Sequence, residues 1–179
     1  MWKLRASDIE HFRNIRPTTH EIGGILSFDT DGYVSEQKIS AGGKCRTASG
    51  ELLANATNCS VQHYDGPCVF HTHPRANRPS SGDLLSSIQG YPRRKKNIIF
   101  TPLGVWVFSP TPKLAAAMST YSATERRRQV KAWRYIGHME QADTQADRCR
   151  GMQQALHNEG FDNQYIPYKS VTTGTEWPL

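Results

Sequence analysis

The sequence has no long hydrophobic run and no apolar leader. No apolar stretch approaches the roughly 18 residues that a membrane span needs. The first eight residues contain no apolar segment before the carboxylate of Asp8, which is not the pattern of a secretory signal. We therefore expect neither a membrane-spanning nor a secreted protein, and we expect a cytoplasmic location.

Cysteine is scarce, and its spacing excludes the common cysteine-based metal motifs. The four cysteines include no C-x-x-C pair and no zinc-finger spacing. Reduced thiols are the expectation for a chain without an export signal, and a bridge between Cys45 and Cys59 is the alternative. The four positions are Cys45, Cys59, Cys68 and Cys149.

A strong compositional bias is also absent. The 179 residues are 37% hydrophobic, 21% charged and 9% aromatic, which is typical of one globular domain with a buried core. The net charge of +6 and the pI near 9.3 favour docking onto an acidic surface, although they do not identify that surface.

Local patterns predict an α/β (α+β) fold with a small mixed sheet flanked by helices. Apolar residues at helical spacing predict a helix over residues 6–16, with Ser7 as its N-cap and Glu10 completing a capping box. Residues 22–39 have the pattern of a β-hairpin, and a long loop follows over residues 40–60. Further strands are expected at 67–70, 98–100 and 105–108, and a helix from Asp83 to Ile88.

The C-terminal half has helical periodicity. A helix is expected over residues 113–121, and a second capping box at Ser122 and Glu125 opens a long helix that runs towards Asn158 and stops at Gly160. Its narrow apolar stripe predicts packing against the domain or against another chain. Residues 161–179 form either one more strand or an arm that wraps a partner. We expect a domain over residues 1–110, a helical extension over residues 111–160 and a tail or arm over residues 161–179.

The segment that starts at His71 carries the strongest chemical signal. His71 and His73 are two residues apart at the end of a predicted strand, so both imidazoles project to the same face. Asp83, at the start of a predicted helix, can supply a third ligand. Two histidines and a carboxylate with an open fourth position are the pattern of catalytic zinc.

These residues resemble the signature of the JAMM (MPN+, JAB) metalloproteases. That signature has a glutamate in a strand with an E-x-x-G-like pattern, then H-[ST]-H-P and S-x-x-D. The resemblance implies a cytidine-deaminase-like JAB/MPN fold, with Zn²⁺ held by His71, His73 and Asp83. It implies Glu21 as the general base and Ser80 as the residue that steadies the oxyanion.

The resemblance also implies the reaction and the substrate. Members of the family hydrolyse amide bonds, commonly the isopeptide bond between a lysine and ubiquitin or a ubiquitin-like protein, and prokaryotic and viral relatives act on other peptides. Stand-alone members occur in phages and large DNA viruses, so a virion is a second expected location. The resemblance spans about residues 5–109.

One spacing departs from the family pattern. The family usually has seven residues between the second histidine and the serine, and this chain has six, residues 74–79. Ser81 would restore the seven but would break S-x-x-D. We favour Ser80, because the spacing between serine and aspartate lies on a helical turn and is stiffer than a loop.

A second class of function is a scaffold subunit that keeps the fold within a larger assembly, such as a virus particle. The basic long helix, with Arg126, Arg127 and Arg128 in its first turns, and the C-terminal tail would be the contact surfaces. Residues 93–96, Arg-Arg-Lys-Lys, are typical of a solvated loop, with nucleic-acid contact as the alternative. His20 and His63 are expected to take no part in the site.

Overall fold

The computed structural model describes residues 1–40, 66–136 and 145–179. They form a mixed α/β architecture with a six-stranded mixed sheet, helices on both of its faces and a separate two-stranded ribbon. The elements are β1 (Lys3–Arg5), α1 (Ala6–Ile15), β2 (Gly23–Phe28), β3 (Val34–Ser40), β4 (Cys68–Thr72), α2 (Ser81–Gly90), β5 (Lys96–Phe100), β6 (Gly104–Pro110), α3 (Pro112–Thr120), α4 (Ala123–Tyr135), α5 (Gln145–Asn158), β7 (Phe161–Pro167) and β8 (Glu176–Pro178).

The strand order of the main sheet is β3-β2-β4-β5-β6-β7. Only β4 and β5 are parallel, and α2 makes the crossover between them, as a parallel pair requires. Thr72 lies opposite Phe100, Phe100 opposite Val105, and Val105 opposite Ile166. The ends of β4, β5 and β7 and the start of β6 therefore lie along one edge of the sheet, which we call the site edge.

Each face of the sheet has its own apolar core, because successive strand residues point to opposite faces. Ile98 belongs to the core under α1, and its neighbour Ile99 belongs to the core under α2–α5. The first core consists of Leu4, Ile9, Phe12, Leu26, Cys68, Phe70, Ile98, Phe100, Val105, Val107, Ile166 and Tyr168. The second consists of Leu84, Ile99, Trp106, Phe108, Met118, Trp133, Cys149, Met152, Leu156 and Phe161.

Most of the locally predicted elements are confirmed. The hairpin is β2 and β3, and the strands predicted at 67–70, 98–100 and 105–108 are β4, β5 and β6. The helix predicted over 113–121 is α3. The helix predicted from Asp83 starts two residues earlier, since Ser80 is the N-cap of α2.

The predicted N-terminus of the first helix is wrong. Arg5, not Ser7, is the N-cap, and the carboxylate that accepts its backbone N–H, at 2.8 Å, belongs to Asp8 rather than Glu10. The reason is the pairing of β1 with β8, which places Leu4 opposite Trp177 and keeps residues 3–5 extended up to the first helical residue.

The prediction of a single long helix from residue 122 to residue 158 is also wrong. Ser122 and Glu125 do form the predicted capping box, but α4 ends at Tyr135. The Trp133 indole N–H donates to Glu159 Oε2 at 3.1 Å, whereas a continuous helix would separate these two residues by about 39 Å, at 1.5 Å per residue. The chain must therefore reverse direction between α4 and the end of α5.

Burial of the apolar stripe explains this reversal. Trp133 of α4 and Cys149, Met152 and Leu156 of α5 belong to the same core against the sheet. For the side chains of the stripe that the structure describes, the prediction that they pack against the domain is therefore confirmed. Gly160 ends α5 as predicted, with a φ of +94°, the left-handed region that favours glycine.

The tail is a strand for part of its length. Residues 161–167 are β7, which pairs antiparallel with β6 as the last strand of the main sheet. The same sheet therefore includes residues of the first and the third expected units, and the boundaries at 110 and 160 stay a prediction.

The basic run at residues 93–96 is not a fully solvated loop. The side chain of Arg94 is buried, and its Nη1 donates to the backbone oxygen of Ser86 at 3.2 Å and to the Ser86 hydroxyl at 2.9 Å. Lys96 begins β5. A cation at this point fits because it donates to a carbonyl in the last turns of α2.

The loop predicted over residues 40–60 does not include Ser40, which ends β3. The rest of that loop, the Cys45–Cys59 alternative and His63 lie outside the described part of the chain. Cys68 and Cys149 are buried, and neither is part of a disulfide bond. Among the described residues, no helix combines the length and the apolar character that a bilayer crossing requires.

Candidate metal centre

Strand β4 and helix α2 bring the candidate ligands together. His71 is the fourth residue of β4 and His73 follows the strand, while Asp83 lies in the first turn of α2. His71 is opposite Ile99 of the core under α2, so strand alternation turns it towards that helix. The three residues that the sequence predicts as ligands therefore meet at the site edge.

The side-chain atoms of these three residues converge on a small volume. His71 Nε2 lies 3.1 Å from His73 Nε2 and 3.1 Å from Asp83 Oδ1. His73 Nε2 lies 3.3 Å from Asp83 Oδ2. One ligand atom from each residue lies within 4.8 Å of the others. The group could hold a metal ion.

The carboxylate of Asp83 is held ready to act as a ligand. Burial by itself would raise its pKa, but the facing imidazoles of His71 and His73 hold that pKa well below its usual range. The carboxylate is therefore ionised at neutral pH, as a metal ligand must be. Its Oδ2 also accepts the backbone N–H of Ser80 at 2.7 Å.

Glu21 lies beside the ligands. Its Oε1 is 3.9 Å from His73 Nε2, and its side chain is 14% exposed. Burial raises the pKa of Glu21 from 4.5 to about 7, against the lowering effect of His73 and with a further rise from Asp83. A carboxyl with a pKa near neutrality can both accept and return a proton at neutral pH.

Thr72, between the two histidines, ties the Glu21 segment to β4. The Ile22 N–H donates to Thr72 Oγ1 at 3.0 Å, and the Thr72 N–H donates to Ile22 O at 2.8 Å. Thr72 is fully buried. This pair of hydrogen bonds fixes the backbone next to Glu21 against the ligand strand, a role that the sequence analysis did not assign to the threonine.

Two further residues that the sequence analysis missed anchor the ligand loop. Arg16 Nη1 donates to His73 O at 3.1 Å and to Pro74 O at 3.0 Å. The Trp106 indole N–H donates to Asn77 O at 2.8 Å. Both residues are distant in sequence from the loop, so no local pattern could have identified them.

Ser80 has a structural role in this arrangement. Its Oγ accepts the Asp83 N–H at 3.1 Å, and its hydroxyl donates to Asp83 Oδ2 at 2.8 Å. Ser80 thus caps α2 and holds a ligand in place. Its assignment as the oxyanion residue stays a prediction, which requires the hydroxyl to turn away from Asp83. His20 contacts Thr19 and lies outside the ligand group.

Substituting Ser80 by Ala should have two effects. The unfolding free energy should fall by about 1 kcal/mol, since an N-cap is lost, and the metal affinity should fall about 10-fold or more, since Asp83 loses a hydrogen-bond donor. Ser122→Ala is the matched control, because Ser122 forms the same capping box on α4. Urea titration should show a similar loss of unfolding free energy for Ser122→Ala, and its metal affinity should equal that of the wild type. Equal metal affinity in both variants would contradict the positioning role of Ser80.

The raised pKa of Glu21 predicts that metal-free protein becomes less stable as pH rises. The folded state holds the Glu21 proton more tightly than the unfolded chain, so this contribution is complete below pH 4.5 and is lost as pH rises through about 7. Relative to Glu21→Gln, the wild type should lose about 1–2 kcal/mol between pH 5 and 8, since one pKa unit is worth ~1.4 kcal/mol and solvent screens a partly exposed group. Urea denaturation of both proteins in chelator measures this difference; parallel pH profiles would contradict it.

Comparison of the chain with protein-family models, curated proteins and solved structures found no match. The functional assignment is therefore argued from the site itself.

Proposed function

We propose that this protein is a zinc-dependent metalloprotease of the JAMM type that hydrolyses amide bonds, including the isopeptide bonds of ubiquitin or ubiquitin-like conjugates. The observation that carries the proposal is the convergence of His71 Nε2, His73 Nε2 and the Asp83 carboxylate, with Glu21 beside them. A largely buried carboxyl with a raised pKa beside the ligand group supports a catalytic role for the site.

The ligand set favours zinc over harder cations. Two imidazole nitrogens and one carboxylate oxygen suit Zn²⁺, while Mg²⁺ and Ca²⁺ prefer oxygen ligands alone. Ligand atoms at 2.0–2.1 Å from a tetrahedral ion lie about 3.3 Å from one another. The two imidazole nitrogens, His71 Nε2 and His73 Nε2, are 3.1 Å apart, which is close to that value, and each lies 3.1–3.3 Å from a different oxygen of the Asp83 carboxylate.

The group of three candidate ligands is partly exposed to solvent. The side chains of His71 and Asp83 are 19% and 16% exposed, and that of His73 is only 5% exposed. One side of the ligand group therefore faces solvent, and the other is closed by protein. Three protein ligands and an accessible fourth position distinguish catalytic zinc from closed structural sites.

The chain's own residues account for the movement of protons in the proposed reaction. A bound zinc ion lowers the pKa of water towards neutrality and polarises a carbonyl group. Glu21 accepts a proton from the attacking water and returns it to the departing amine. Thr72 keeps the backbone beside Glu21 in register with the ligand strand, and Arg16 holds the carbonyl of His73. Ser80 is proposed to support the developing oxyanion.

The test is metal content together with chelator-sensitive cleavage. The purified protein should contain one zinc per chain by mass spectrometry of the metal. It should cut a ubiquitin or ubiquitin-like conjugate, lose at least 100-fold in rate after chelation and recover when zinc is returned. Protein that holds no metal and cuts no member of a panel of such conjugates would favour the scaffold function instead.

A further inference from the structure

A groove lined by basic side chains lies beside β7, the last strand of the main sheet, and the turn between β5 and β6. Its volume is about 580 Å³, within the range of sites that bind small ligands or short peptide segments. We call it the basic groove. Its lining includes Arg13 of α1, the turn residues 102–103, Arg150 of α5, Tyr165 of β7, and Tyr168 and Lys169 after β7.

The charge of the basic groove has one sign. Arg13, Arg150 and Lys169 come from three separate segments of the chain, and no carboxylate is found among the described residues that line the groove. The Arg13 guanidinium lies over the Tyr168 ring, 4.7 Å from its centroid. Stacking of this kind holds the cation in place and leaves its N–H groups at the ring edge available to an acceptor.

The basic groove and the metal centre lie on the same edge of the sheet. The turn at residues 102–103 joins β5 to β6 at the site edge, and Pro167 ends β7 there, opposite Gly104. The His73 N–H donates to Phe100 O at 2.9 Å, which connects the ligand loop to the end of β5. Strands β4 and β7 are three positions apart, or about 14 Å at ~4.8 Å per strand.

We propose that the basic groove binds acidic side chains of the substrate, about four residues away from the bond that is cut. This inference rests on the proposed hydrolysis of amide bonds. An extended peptide advances about 3.3 Å per residue, so four residues span the distance along the site edge. The acidic side chains pair with Lys169 and Arg13, while the apolar groups beside them pack on the tyrosine rings and the turn.

The lining of the basic groove favours a peptide over a nucleic acid. Proline, leucine and tyrosine side chains contribute an apolar surface between the three cations. A polynucleotide needs a continuous row of cations along its phosphates. Such a row is present on α4, where Arg127, Lys131 and Arg134 are exposed at helical spacing, and not in the groove. A short acidic and apolar segment matches both properties of the groove.

Direct binding tests the inference without any need for cleavage. The probe is an octapeptide with two adjacent glutamates flanked by leucines, compared by calorimetry with its glutamine counterpart, on the full chain at low salt. The glutamate peptide should bind at least 10-fold more tightly. Lys169→Gln and Arg13→Gln should each weaken its binding 3- to 10-fold, and Lys113→Gln, which removes an exposed cation of α3 outside the groove, should leave it unchanged.

Any of three results would overturn the inference. The first is equal binding of the glutamate and glutamine peptides. The second is equal binding of the glutamate peptide by Lys169→Gln and wild type when thermal unfolding shows that both are folded, and the third is an eight-nucleotide single strand of DNA that binds more tightly than the peptide and competes for the same cations.

Cleavage separates this inference from the proposed function. In a substrate series, moving a glutamate pair to about four residues from the scissile bond should raise kcat/KM about 10-fold in the wild type and not in Lys169→Gln. If kcat/KM does not depend on the position of the glutamates, the inference about the groove is wrong and the proposed protease activity stands. Lys169-dependent peptide binding by a protein that cuts nothing would overturn the protease and keep the groove as a binding site for acidic segments.

Discussion

Glu21→Gln should abolish cleavage while the protein keeps its metal. The substitution preserves the volume of the side chain and removes its ability to accept a proton. General-base catalysis contributes about 10²–10⁴-fold to the rate, so kcat should fall by that factor. The metal content should stay at one zinc per chain, because Glu21 Oε1 lies 3.9 Å from His73 Nε2 and outside the ligand group. Turnover assays and metal analysis on the same preparation measure both quantities.

The matched control for this substitution is Glu10→Gln. Glu10 is an exposed glutamate of α1, so the chemical change is the same and its place is remote from the ligands. Its kcat and metal content should equal those of the wild type. If Glu21→Gln lost the metal, Glu21 would be a ligand rather than a base. If it kept full activity, the proton acceptor would be another group.

The environment of Glu21, and not its residue type, suggests its role as the general base. In the sequence it is an ordinary glutamate before two glycines. In the fold, the Thr72 hydrogen bonds hold the adjacent backbone, and burial raises its pKa to about 7. A carboxyl in water would be ionised at pH 7 and would be a weaker base.

The parts of the fold that local patterns encode could be predicted from the sequence. The hairpin, the strand that carries His71 and the capping box at Ser122 depend on residues close together in the chain. The same holds for the ligand set. The spacing of His71 and His73 at the end of one strand and a helix start near Asp83 are local features, and their meeting at one edge follows from a short crossover.

The features that were missed depend on long-range pairing. The start of α1 at Arg5 is set by β8, which lies more than 170 residues further along the chain. The periodicity of residues 122–158 is the same for one helix or for two that fold back, and tertiary contacts such as that of Trp133 with Glu159 distinguish them. The anchors of the ligand loop, Arg16 and Trp106, are likewise joined to it only by the folded chain.

Asp83→Asn should remove the metal and, with it, all activity. The substitution keeps an oxygen that can accept the Ser80 N–H but removes the charge that faces the two imidazoles. Loss of a group that only supports a ligand typically costs 10- to 100-fold in metal affinity. Loss of a charged ligand should therefore cost more than about 100-fold, as measured by competition with a chromophoric chelator.

Glu125→Gln is the control that isolates the metal from the helix cap. Glu125 occupies the same position in the capping box of α4 as Asp83 does in α2, and its carboxylate accepts the Ser122 N–H at 2.7 Å. Both substitutions weaken a cap, so both should lower the unfolding free energy of metal-free protein, and Asp83→Asn should lower it more because it also removes the charge that faces the two imidazoles. Only Asp83→Asn should lose zinc. Equal zinc affinity in the two variants would mean that Asp83 serves the helix alone, and the two histidines would then lack the third ligand on which the proposed hydrolysis depends.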